Sequence, residues 1–81
     1  MDPEFLLEIM EVNEDLAEAA EDMKALEELE LINNKRMKQC VESISKFFTE
    51  GNVGEAKNGL IRLKYFTNIE DKIKEIYRMK M

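Results

Sequence analysis

Eighty-one residues make one small domain, 1–81, whose single core contributes only about 3–5 kcal/mol, and 44% apolar with 37% charged residues in a clear period reads as folded rather than disordered. Three Gly and one Pro leave little turn chemistry, so an all-helical chain is favoured over a sheet, and apolar runs of at most three residues exclude a membrane-spanning helix. A net charge of −6 argues against nucleic acid, whose phosphates it repels.

Asp2-Pro3-Glu4 marks a helix start. Asp2 can accept a bond from a free N–H, Pro3 stands where its missing N–H costs nothing, and Glu4 suits the positive end of the helix dipole. The stretch FLLEIMEVNEDLAEA then sets Phe5, Ile9, Val12, Leu16 and Ala19 at intervals of 4, 3, 4 and 3, the spacing of a helix facing a core. Neither Gly nor Pro interrupts Glu4 to Glu50, and the stripe runs on through Met23, Leu26, Glu30, Asn33, Met37, Cys40, Ile44 and Phe47. A single helix of about 45 residues would reach about 65 Å at 1.5 Å per residue, too long for a compact chain of this size. Compactness therefore puts a break near Ala20-Glu21-Asp22, where Asp22 can cap a second helix, although the sequence marks this turn weakly.

The next turn is plain. Gly51 in Glu50-Gly51-Asn52 stops the second helix, and Asn52-Val53-Gly54-Glu55 has the form of a capping box. The third helix carries Ala56, Leu60, Leu63, Phe66, Ile69, Ile73, Ile76 and Tyr77 at helical spacing. Gly59 within it costs about 1 kcal/mol relative to Ala and suits the close approach of a neighbouring helix. These elements predict an all-α fold, an antiparallel three-helix bundle with helices over 3–20, 23–50 and 53–79.

Chemistry is sparse. Without His there is no imidazole base, no His metal ligand and no Ser-His-Asp arrangement. Cys40 stands alone on the core stripe, which reads as a buried structural thiol and rules out an intramolecular cysteine ligand set. No Gly-containing stretch matches a phosphate loop, and Glu11, Glu14 and Glu18 on a regular helix do not converge as calcium ligands do. The chain therefore reads as no enzyme and as carrying no cofactor or metal.

What the pattern leaves over is surface. On the helical wheel Leu6 falls at the edge of the first stripe, Met10 further round and Leu7 nearly opposite, with Glu11, Glu14 and Glu18 on Leu7's side. On the third helix Ile61 and Tyr65 point away from the apolar stripe. Charge is segregated too: residues 1–30 hold twelve acids and one base, residues 51–81 four acids and seven bases. Either an acidic front helix packs beside a basic back helix, or an acidic face awaits a basic partner. Likewise, the surplus apolar residues are ordinary surface, or they are the apolar centre of a docking patch with an acidic rim.

The stretches FLLEIMEVNEDLAEA and EAKNGLIRLKYFTNIEDKI resemble the C-terminal domain of the HscB-type J-protein co-chaperones of iron–sulfur cluster assembly, most closely the animal mitochondrial members. The likeness covers nearly the whole chain, and residues 24–47 match mainly in apolar spacing. It implies a three-helix bundle that binds the IscU-type scaffold protein on which clusters are built, for delivery to an Hsp70 by the J domain. Carried over residue by residue, it implies a scaffold-binding patch of Leu6, Leu7, Met10, Glu11, Glu14 and Glu18 on the first helix and Tyr65 on the third. A chain without His lacks the His-Pro-Asp loop of a J domain, so the Hsp70 link is expected to be indirect. The resemblance places the protein in the mitochondrial matrix; a bacterial relative would be cytoplasmic. The competing expectation is an acidic helical module that self-associates through the 4-3 stripe, in the manner of a coiled coil.

Overall fold

The computed structural model describes residues 2–80 and holds three helices, α1 over Pro3–Ala19, α2 over Met23–Thr49 and α3 over Val53–Lys80. Each boundary has a local cause. Asp2 Oδ1 accepts the Glu4 N–H at 3.0 Å and opens α1. The weakly marked first turn falls where compactness requires it: Asp22 Oδ1 accepts the N–H groups of Lys24 at 3.1 Å and Ala25 at 3.3 Å, capping α2. At the second turn Gly51 takes φ +77°, the left-handed backbone that glycine adopts without a steric cost. This lets the N–H of Asn52 reach Phe47 O at 2.8 Å and that of Gly51 reach Phe48 O at 3.1 Å, a Schellman closure. The capping box forms only by half. Asn52 Oδ1 accepts the Glu55 N–H at 3.2 Å, but the Asn52 N–H that Glu55 would accept in return already serves Phe47.

Cross-helix contacts fix the topology. Glu8 meets Arg36, Asn33 meets Phe66 and Cys40 meets Gly59, so α2 runs against both neighbours. Asp2 meets Arg62 and Asn13 meets Lys72, so α1 and α3 run the same way. The predicted α1 stripe is the core contribution of that helix: Phe5, Ile9, Leu16 and Ala19 are buried, against Leu26 of α2 and Phe66, Ile69 and Ile73 of α3. Phe5 lies edge-on to Phe66 with centroids 5.6 Å apart and to Tyr65 at 5.8 Å, the favoured aromatic arrangement.

The helices differ in reach. At about 1.5 Å per residue α1 is about 25 Å long, whereas α2 and α3 are about 40 Å. The molecule is accordingly elongated, 45 × 23 × 16 Å, with a radius of gyration of 14.1 Å where roughly 12 Å suits a round domain of this length. Beyond the start of α1 only the α2–α3 hairpin continues. There Gly59 lets the two helices touch: a Cβ at that position would sit 2.6 Å from Ile44 Cγ1.

Two stripe positions depart from expectation for the same reason. Leu60 is 48% exposed because α1 starts opposite Arg62 and never covers it, and Met23 is 42% exposed as the first residue of α2 at the bundle end. The stripe is also discontinuous, cut at residues 20–22 and folded inward on both sides of the cut.

Candidate partner-binding site

Because α1 gives one arc to the core, its opposite arc is surface. Leu7 and Met10 are each 58% exposed there, and Glu11, Glu14 and Glu18 are exposed beside them. At about 100° per residue these five side chains share the side of α1 opposite the buried stripe. Leu6 lies at the margin, 36% exposed. Asn13, two turns further on, accepts a bond from Lys72 Nζ at 2.8 Å, so this margin of the helix faces α3.

Tyr65 sits differently from the sequence expectation. It is half-buried rather than turned away from the core, its ring packed edge-on against Phe5, while Ile61 one turn earlier is 46% exposed. The cause is that α3 faces two helices, so its apolar arc is wider than one stripe, and Phe5 of α1 covers the position where Tyr65 emerges. Tyr65 therefore borders the α1–α3 seam, on the side of Leu6.

The electrostatics separate used from unused acids. Asp2 pairs with Arg62 at 3.6 Å and Glu8 with Arg36 at 3.4 Å, both between partly exposed groups. Each arginine also covers a core ring, Arg62 at 5.1 Å from the Phe5 centroid and Arg36 at 5.9 Å from that of Phe66. These contacts pin the first half of α1, and no local pattern in the sequence announces them, since they join residues 28 to 60 positions apart. Glu11, Glu14 and Glu18 enter no ion pair among the described residues. The acidic helix does pack beside the basic one, yet among the described residues Asp2 alone carries an ion pair across that seam.

A cavity of about 770 Å³ lies elsewhere, between the start of α1 and the uncovered hairpin, lined by Phe5, Arg36, Cys40, Phe47, Ile61 and Arg62 among others. Its thiol is structural in character. Cys40 Sγ donates to Gly59 O at 3.3 Å, and burial pushes its pKa up against a smaller downward pull from Arg62. Among the described residues no group of three His, Cys, Asp or Glu could hold a metal ion, and no helix is long and apolar enough to cross a membrane. What the outer face of α1 offers is an apolar spot beside unpaired carboxylates, an arrangement suited to binding rather than to bond-making.

Residues 1–74 match the family described as the HSCB C-terminal oligomerisation domain. The chain is 46% identical over 74 residues to the human iron–sulfur cluster co-chaperone protein HscB and 42% identical over 73 residues to the mouse protein of that name. These alignments cover 91% and 90% of the chain but 31% of each relative, so it spans under a third of their length. No solved structure matches the chain.

Proposed function

The chain belongs to the HscB C-terminal domain family, and from that premise we propose that it is a non-catalytic module that docks an IscU-type scaffold protein in iron–sulfur cluster biogenesis. Leu6, Leu7 and Met10, with Tyr65 from α3, form the apolar contact, and Glu11, Glu14 and Glu18 attract basic residues of the scaffold. The observation that carries this reading is the outer face of α1, where large apolar side chains stand exposed beside carboxylates that enter no ion pair among the described residues. Apolar anchors in contact with a partner dominate binding energy, and rim charges tune encounter. Delivery to an Hsp70 then belongs to a J domain, and the single domain 1–81 supplies scaffold contact alone. Its place is the mitochondrial matrix, on the likeness to animal members. The cluster itself is cargo ligated by the scaffold.

The test is a calorimetric titration with purified apo scaffold, wild type beside the Leu6→Ser, Met10→Ser variant. Binding is expected to weaken by about 2–4 kcal/mol while the circular dichroism of the helices is unchanged. A flat titration with folded wild type refutes the partner. Loss of helicity in the variant assigns both residues to the core and refutes the site.

A second reading, self-association, is favoured by the word oligomerisation in the family description and by the open hairpin end with Phe48 and Leu60 exposed. The 4-3 stripe is not available for it, being spent inside the bundle. Sedimentation at several concentrations separates the readings, because scaffold docking needs no dimer.

A further inference from the structure

The side of the α1–α2 pair that α3 does not fill is a groove of about 330 Å³, walled by Asp15, Glu18 and Ala19 of α1 and by Ala25, Glu28 and Ile32 of α2. Its apolar part is real surface: Ile32 is 54% exposed, and Leu29 behind it is half-buried. Among the described residues no Lys or Arg lines it. Asp22 at its end is occupied in capping α2, whereas Asp15, Glu18 and Glu28 enter no ion pair among the described residues. The corresponding groove between α1 and α3 differs in this respect, since Lys72 lies beside Glu75 there.

The helix ends sharpen the contrast. The last turns of α2 and α3 carry Lys46, and Arg78 with Lys80, which complement the negative end of a helix dipole, but the last turn of α1 has no base. Acids crowded at that end oppose the stability of the free domain, and a partner of opposite charge would relieve them. These carboxylates do not converge as metal ligands do. Their complement is positive charge spread along the groove, carried by something that also covers Ile32.

We propose that the α1–α2 groove docks a basic amphipathic helix of a partner protein, with its Lys or Arg side chains on Asp15, Glu18 and Glu28 and its apolar stripe on Ile32 and Leu29. A groove between two packed helices accepts the side-chain ridge of a third, and helix-in-groove docking joins an apolar stripe to flanking charge. The inference does not depend on what docks at Leu6, Leu7 and Met10, although Glu18 borders both surfaces.

The experiment is a titration of the ¹⁵N-labelled chain with a synthetic amphipathic peptide about five turns long, bearing a Leu stripe flanked by Lys. The same peptide with Glu in place of Lys is the control. Saturable shifts confined to residues 15–32 are expected with the Lys peptide alone. Affinity should fall about tenfold in Asp15→Asn, Glu28→Gln and again in Ile32→Ser, all exposed positions whose unchanged spectra elsewhere report an intact fold. Equal response to both peptides, or shifts centred on the outer face of α1 or on the hairpin end, overturns the proposal. So does full affinity in Ile32→Ser, which would leave only diffuse attraction between a cation and an acidic helix. Since neither peptide is a scaffold protein, this result and the scaffold titration can fail separately.

Discussion

Asn33 interrupts the apolar stripe of α2, yet it is 5% exposed, and its amide donates to Phe66 O at 3.0 Å. A buried amide with one such acceptor ties α2 to α3 in a single register, as a lone polar residue does in a helical seam. Asn33→Asp keeps the shape but buries a carboxylate against a carbonyl oxygen, and should cost about 3 kcal/mol at neutral pH in urea unfolding. The buried acid has a raised pKa, so stability should return as pH falls through that raised value and be fully restored by about pH 4, the ordinary carboxyl range, because protonation restores a donor. At Gly59 two effects oppose: Ala gains about 1 kcal/mol of helix propensity but its Cβ would meet Ile44 Cγ1 at 2.6 Å. Overpacking of about 1–3 kcal/mol wins, because the obstructing atom is near the root of a buried side chain, and Gly59→Ala should lower the urea midpoint. Cys40 and Tyr77 both have pKa values pushed up, Cys40 by burial, Tyr77 by burial and then by Glu30 and Glu27. Their neutral forms are favoured by folding. That contribution is complete below their ordinary values of 9.0 and 10.0 and is lost as pH rises past them. Disulfide-exchange labelling of Cys40 at about pH 8 should be slower in the folded chain than in urea.

At the scale of elements, the two turns are built from different chemistry and should fail differently. The first rests on Asp22, whose carboxylate satisfies two N–H groups of α2. Asp22→Ala should cost about 1 kcal/mol and speed amide exchange at the start of α2. The second rests on backbone shape at Gly51, where Gly51→Ala forces a Cβ into the left-handed region at a cost of about 1 kcal/mol. No neighbour lies within 4 Å of that Cβ, so the penalty is conformational rather than steric crowding by other elements. Both measurements bear on function indirectly, because the first turn sets how α1 lies along the hairpin and hence which arc of α1 faces out.

For the whole molecule, the unequal helix lengths divide the bundle into a three-helix half and a two-helix half. The candidate scaffold face and the acidic groove belong to the first half, the cavity beside Cys40 to the start of the second. Charge follows the same partition, since the acids of α1 outnumber the cations placed to meet them. Association with a scaffold should therefore be faster at low salt and fall as ionic strength rises, because exposed charges are screened within about 8–10 Å. Stopped-flow rates that do not change between low and high salt would remove Glu11, Glu14 and Glu18 from the steering role.

Periodicity and end chemistry determined the start of α1 and the Gly51 turn within a residue or two, because core spacing, an Asp-Pro start and a Gly stop act over a few neighbouring residues, whereas the break at residues 20–22 followed from compactness and was marked only weakly. They also exposed the surplus of Leu6, Leu7 and Met10, since a wheel needs only one helix to show which side chains fall off the buried arc. Tertiary structure decided what one helix cannot contain. It put Tyr65 on Phe5, left Leu60 uncovered beyond the start of α1, drew Arg36 and Arg62 over the core rings, and opened an uncompensated groove between α1 and α2. Those outcomes depend on how far three helices of unequal length overlap, and overlap is set by packing between residues distant in the chain.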